Sequence, residues 1–206
     1  MKNLIETVHR HAGWLAAACC ALAAWAFGHA LAGYSHAQYP LAFLGARGFP
    51  QALAFNLLGF VVPGALAAAA AMALRARLPG DARWPARIGA RLLMLSALAF
   101  AAQGLLPLDP DDLDGPRSQW HATAWTLWWI AAGTGAALLG GGLWRRSGWR
   151  ALAGMALASS VLVVVVALAP PGLWPAGIGQ RIAFGAWLGL WIVAARVPSG
   201  RGAAQP

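Results

Sequence analysis

Apolar residues fill six stretches of this chain, at approximately 14–33, 52–74, 88–106, 120–143, 151–168 and 178–197, and polar residues collect in the short intervals between them. Each stretch is close to the ~20 residues that a helix needs to cross a bilayer core of about 30 Å. None shows the period-two alternation of a half-buried strand. In hydrocarbon, a helix satisfies its backbone hydrogen bonds within its own segment. The expected fold is therefore all-α, a polytopic membrane protein with six transmembrane helices in one bundle. This is a single domain over residues 1–197, followed by a disordered tail at 198–206.

Local signals punctuate the spans. The first stretch ends near Ala30-Leu31-Ala32, which resembles a signal-peptide cleavage site. About 20 apolar residues exceed the usual signal core, so a retained first span is expected. Pro63-Gly64 should bend the second span or open a gap for close packing. Pro79-Gly80-Asp81 reads as a turn, and Pro170-Pro171-Gly172 closes the fifth span.

Composition agrees with the pattern: 60% of the 206 residues are hydrophobic and only 10% charged, well below the ~25% charged residues usual in soluble domains. The 15 basic residues outnumber six acidic ones, for a net charge of +9. That excess sits in the links between spans, where anionic headgroups and topology explain it, so nucleic acid is not an expected partner and membrane lipids are. Twelve basic residues fall on one side: Lys2, Arg10, Arg75, Arg77, Arg83, Arg87, Arg91, Arg145, Arg146, Arg150, Arg196 and Arg201. The other side holds Arg47, Arg117 and Arg181, with Asp109, Asp111, Asp112 and Asp114. The positive-inside rule then places both termini in the cytoplasm.

Trp14, Trp84, Trp120, Trp144, Trp149 and Trp174 lie near span ends, as interfacial anchors do. Trp125, Trp128, Trp129, Trp187 and Trp191 are deeper and form stripes that suit packing, lipid contact or the walls of a substrate groove. Gly185 and Gly189 make a GxxxG pattern, and GTGAALLGGG gives span four a smooth face, which leaves a homodimer open. Cys19 and Cys20 are adjacent within the first span and read as small packing residues.

Candidate chemistry gathers on the outer side. His29, Tyr34, Ser35, His36, Asn56, Gln103, Asp109 and His121 share one membrane depth. His29 and His36, seven apart, would share a face if the helix continued, and closure of the third link would bring Asp109 to His121. Asp109 also has Arg117 and Arg181 as prospective ion-pair partners. Two histidines and a carboxylate suit zinc and its bound water, although no HExxH or HxxxH spacing occurs. The alternative is that these side chains cap helices, bond loop backbone or bind a ligand. Ser35 or Ser118 beside His36 or His121 could suggest a serine hydrolase, but no nucleophile elbow accompanies them.

The run Tyr34-Ser35-His36 with Tyr39-Pro40-Leu41, Leu44-Gly45-Ala46, Pro50 and Phe55-Asn56, followed by Gly59 and Gly64, resembles the DUF998 family of bacterial integral membrane proteins. Gly104 to Asp109 and Gln119-Trp120-His121 look like that family's second signature. The resemblance covers about positions 30–130 and implies a six-span bundle with Asn56, Asp109, His121 and, in a more variable loop, His36 as its polar positions. A more distant likeness to alkaline ceramidase and adiponectin-receptor hydrolases would imply Ser, Asp and His around zinc. This chain has six rather than seven expected spans and no late HxxxH.

The leading expectation is an inner-membrane protein whose outer polar cluster orders the loops and binds a small or lipidic ligand through His29, Tyr34, His36, Asn56, Asp109, His121 and Arg181. The first alternative is a zinc-dependent intramembrane lipid hydrolase with His36, Asp109 and His121 as ligands and catalytic residues. A transport or channel subunit is the second, although the inner halves of the spans offer few polar side chains beyond Ser96, Thr134, Ser159 and Ser160.

Overall fold

The computed structural model describes residues 2–170 and 172–197, with side chains from residue 11 onward. The tail expected at 198–206 lies outside the described residues. Among the described residues six helices are long and apolar enough to cross a membrane, and there is no strand. They are α1 (Lys2–Ala30), α2 (Ala52–Arg77), α3 (Trp84–Leu105), α4 (Pro116–Leu143), α5 (Arg150–Leu168) and α6 (Ala176–Ala194). Chain neighbours pack on one another and α6 returns to α1, so the bundle closes as a ring in sequence order. The Arg196 guanidinium lies 5.6 Å from the centre of the Trp14 ring, which puts the start of the first span and the end of the last on the same side.

Several boundaries differ from the hydropathy reading for local reasons. The first helix extends back through the polar N-terminal segment to Lys2 and stops at Ala30, ahead of Gly33 at φ 78°. Pro116 stands in the first turn of α4, where its missing N–H costs no bond. Within α2, residues Asn56–Val61 form a π-helical stretch just before Pro63. A proline ring inside a helix collides with the carbonyl four residues back, here Gly59, and the wider turn relieves that collision. The expected gap at Pro63-Gly64 is thus a change of helical pitch. Gly64 also packs closely, since a Cβ on it would lie 2.7 Å from the Ala101 backbone nitrogen.

The core is aromatic. Phe100 of α3 lies 4.8 Å between ring centroids from both Phe184 and Trp187 of α6, and Trp128 of α4 sits 4.8 Å from Phe184. Trp128, Trp187 and Trp191 are fully buried, so most of the deep tryptophan stripe forms packing rather than groove wall. Trp149, expected as an anchor, is also buried, whereas Trp14, Trp84, Trp120 and Trp144 are exposed. In span four the smooth face is used within the chain: a Cβ on Gly89 of α3 would meet the backbone of Leu139 and Gly135 at 2.5 and 2.6 Å. Such backbone-to-backbone approach is how membrane helices gain van der Waals contact.

Some polar groups of the bundle interior bond across the same packing. The Trp187 indole N–H donates to Ser96 Oγ at 3.0 Å, and Ser96 donates to the Leu93 carbonyl. Ser160 donates to the Gly133 carbonyl across α5 and α4. Ser96 and Ser160 therefore stitch the packed helices and do not line a through-path.

Candidate functional site

The site lies at the bundle end opposite the basic links, termed outer from the charge count. After α1 stops, Gly33 reverses the chain, and the first outer link folds over the bundle with a short 3-10 helix at Leu41–Gly45. The reversal places the His36 ring against Gly28, where any Cβ would collide with it. His29 and His36 therefore meet, at 5.4 Å between ring centroids, because the helix ends and the chain turns back rather than because it continues.

Arg181, in the second turn of α6, is the hub of this arrangement. Its Nη1 donates to the carbonyls of Tyr39 (3.1 Å) and Gly177 (2.9 Å). Its Nη2 donates to Tyr34 Oη (2.8 Å) and His36 Nδ1 (3.1 Å). All four terminal N–H groups are thereby used, and every partner is neutral. Guanidinium has no acceptor, so His36 must offer its Nδ1 lone pair, which leaves the Nε2 proton free to point elsewhere. Burial lowers the His36 pKa, and the neighbouring Arg181 guanidinium lowers it further. Burial raises the Tyr34 pKa, and the Arg181 contact only partly opposes that. Both residues are thus held uncharged. Tyr34 passes the chain on by donating toward the Tyr39 and Pro40 carbonyls.

His29 takes the complementary tautomer. Its Nδ1 lies 2.8 Å from the Trp25 carbonyl, which can only accept, so Nδ1 carries the proton. Gln180, adjacent to the hub, accepts the buried Leu41 N–H on Oε1 at 2.5 Å and pins the 3-10 helix to α6. Neither Gln180 nor Gly28 stood out from the sequence. The signal available for Gln180 was a Gln-Arg pair opening an otherwise apolar span.

Beside the hub, α1 and α6 diverge to leave a groove of about 430 Å³, lined among others by Ala24, Trp25, His29, His36, Arg181 and Leu188. Gly185 also faces it, and a Cβ there would find no atom within 4 Å. Half of the GxxxG pattern thus borders open space, while Gly189 packs on Met155. The groove is almost wholly apolar with its cationic and imidazole groups at one end. No carboxylate among the described residues forms an ion pair with Arg181.

The other candidate residues occupy separate stations. Buried Asn56 donates from Nδ2 to the Gly45 carbonyl at 2.9 Å and ties α2 to the 3-10 helix. Asp109 faces Arg47 at 3.9 Å, not Arg117, Arg181 or His121, and its backbone N–H donates to Ser118 Oγ at 3.0 Å. Ser118 is fully occupied with loop backbone, donating toward the Asp112 and Asp109 carbonyls. His121 turns inward instead, its Nδ1 donating to the Leu106 carbonyl at the end of α3 at 2.8 Å.

His36, Asp109 and His121 therefore do not form the trio that the zinc alternative required. Each is committed to a different element, and among the described residues no three His, Cys, Asp or Glu side chains gather to hold a metal ion. Nor does any serine hydroxyl among the described residues bond to a histidine: Ser35 accepts from the Gln38 N–H, and Ser118 bonds backbone only. What the arrangement offers chemically is a half-buried cation with neutral partners, an unpaired imidazole N–H and an adjoining apolar trough. Comparison with protein-family models, curated proteins and solved structures found no match to this chain.

Proposed function

We propose that this protein is a bacterial inner-membrane protein of the DUF998 type that binds a lipidic ligand entering laterally from the outer leaflet. The observation that carries this reading is the position of Arg181 at the polar end of the α1–α6 groove. A charge held within a membrane span is costly unless it is paired, and such residues commonly mark binding paths. Here every hydrogen-bonding partner is neutral, so the net positive charge calls for an anion. A headgroup phosphate or carboxylate would meet that charge and accept from His36 Nε2. One hydrocarbon chain would lie over Ala24, Gly185 and Leu188. The groove volume falls within the roughly 300–1,000 Å³ of small-molecule sites. Asn56, His121 and Gln180 order the links around it.

Native mass spectrometry of the delipidated protein tests the reading, titrated with phosphatidylglycerol against phosphatidylcholine. Wild type should take up one phosphatidylglycerol preferentially at the groove. Gly185→Leu, whose Cβ meets no protein atom within 4 Å, should abolish that binding event while the protein stays folded. Arg181→Gln should abolish the headgroup preference of that groove, read as one fewer phosphatidylglycerol bound selectively than in wild type. Unchanged binding in both variants would refute the reading.

A further inference from the structure

A second cavity, of about 570 Å³, lies at the opposite end of the bundle between the α2–α3 link and the α4–α5 link. Its lining includes Arg83, Gly141, Gly142, Trp144, Arg145 and Leu157. Two features give it a defined chemistry. Asp81, the acidic residue of these links, is already occupied: Arg146 grips both of its carboxylate oxygens at 2.9 Å and also its backbone carbonyl. That hold keeps the Asp81 carboxyl below the usual range. Arg83 and Arg145 are exposed and, among the described residues, have no carboxylate partner.

The floor between the two cations is apolar and open. Gly142 closes its back, because the α4 backbone runs so near α3 that a Cβ would sit 2.6 Å from the Ala86 nitrogen. Gly141, one residue earlier, faces empty space with nothing within 4 Å of a Cβ. Trp144 stands half-exposed at the rim, where an indole suits the headgroup layer. Basic pockets between helix ends on the positively charged side of a membrane protein attract anionic lipid headgroups.

We propose that this notch binds one anionic phospholipid of the adjoining leaflet, its phosphodiester between Arg83 and Arg145 and a chain over Gly141 and Leu157. A free phosphate would satisfy the two guanidinium groups yet leave the apolar floor uncovered, so the lipid is the occupant that matches the whole cavity. Bound there, it joins the same two links as the Asp81–Arg146 pair and stabilises that end of the bundle.

The test uses full-length protein carrying Gly185→Leu, which closes the outer groove and leaves this end untouched. Native mass spectrometry and thermal melting are run with phosphatidylglycerol, phosphatidylcholine or inorganic phosphate. The expected result is one phosphatidylglycerol bound with a roughly 10- to 30-fold preference over phosphatidylcholine, the scale set by two basic side chains near a headgroup. The melting temperature should rise with it. The preference should vanish in Arg83→Gln/Arg145→Gln, which removes two side chains without partners and so spares the fold. Gly141→Leu should block uptake with both arginines present. Equal binding of the two lipids, or a preference that survives both variants, overturns the proposal. Equal stabilisation by inorganic phosphate overturns the lipid identity and leaves only an anion site.

Discussion

Replacing Gln180 by Ala removes the acceptor of the buried Leu41 N–H and should loosen the first outer link. Two contributions set the size. Side-chain hydrogen bonds inside membrane proteins are worth roughly 0.6–1.7 kcal/mol, and the orphaned N–H sits where Leu41 is only 3% exposed. The lost methylene adds about 0.8 kcal/mol of burial. Together these give a destabilisation of about 2 kcal/mol, which in a chain of this size lowers the melting temperature by roughly 4–8 °C. Thermal melting in detergent reads the total, and hydrogen exchange across residues 34–51 shows where the structure has opened. Gln180→Glu retains an oxygen acceptor of the same length and should recover most of the loss. If Ala and Glu behave alike, or if exchange in 34–51 is unchanged, the Gln180–Leu41 bond is not what holds the link down.

Three other outcomes follow from the same geometry. His36 has its pKa lowered by burial and then by Arg181, so the unfolded chain takes up a proton first. The stability that this residue provides is complete above its ordinary value of 6.5 and is lost as pH falls through the lowered folded value. A melting series from pH 7.5 to 5 should show that slope in wild type and a flatter one in His36→Asn, which keeps an acceptor for Arg181 but does not titrate. His121→Ala should cost about 1 kcal/mol by leaving the half-buried Leu106 carbonyl without a donor. Most of that should return in His121→Asn, and a chelator should not alter either melt. Gly89→Ala should destabilise by about 1–3 kcal/mol or more, because its methyl meets two backbone segments of α4, whereas Gly185→Ala, facing open groove, should cost nothing measurable in the same melt.

The fold was legible because a bilayer imposes one dominant rule. Six apolar stretches of sufficient length emerge as six helices, with ends displaced by a few residues wherever a proline or glycine decides the last turn, as at Pro116 and Gly33. The site was less legible because it depends on where a link turns, which hydropathy does not encode. Their spacing pairs His29 and His36 only on a continuing helix. They meet through a reversal at Gly33 and the vacancy at Gly28. Loop closure would bring Asp109 to His121, yet the residues between them carry Ser118, whose hydroxyl satisfies the loop backbone and leaves His121 to cap α3. Arg181 was visible as one of three basic residues on the outer side. Its role as hub became evident only from the four neutral groups around it. The interior tryptophans carried the right periodicity, but periodicity alone does not separate a core face from a groove wall, and burial of Trp128, Trp187 and Trp191 resolves it.

Occupancy of the α1–α6 groove by a lipid can be read out by photo-crosslinking. Protein reconstituted with phosphatidylglycerol carrying a photoactivatable group in its acyl chain is irradiated, digested and mapped by mass spectrometry. In the outer half of the bundle adducts should concentrate on residues 20–25 of α1 and 184–188 of α6, and Gly185→Leu should remove these while leaving any adducts around Gly141 and Leu157. Adducts spread evenly over the exposed faces of all six helices, unaffected by that substitution, would contradict the claim.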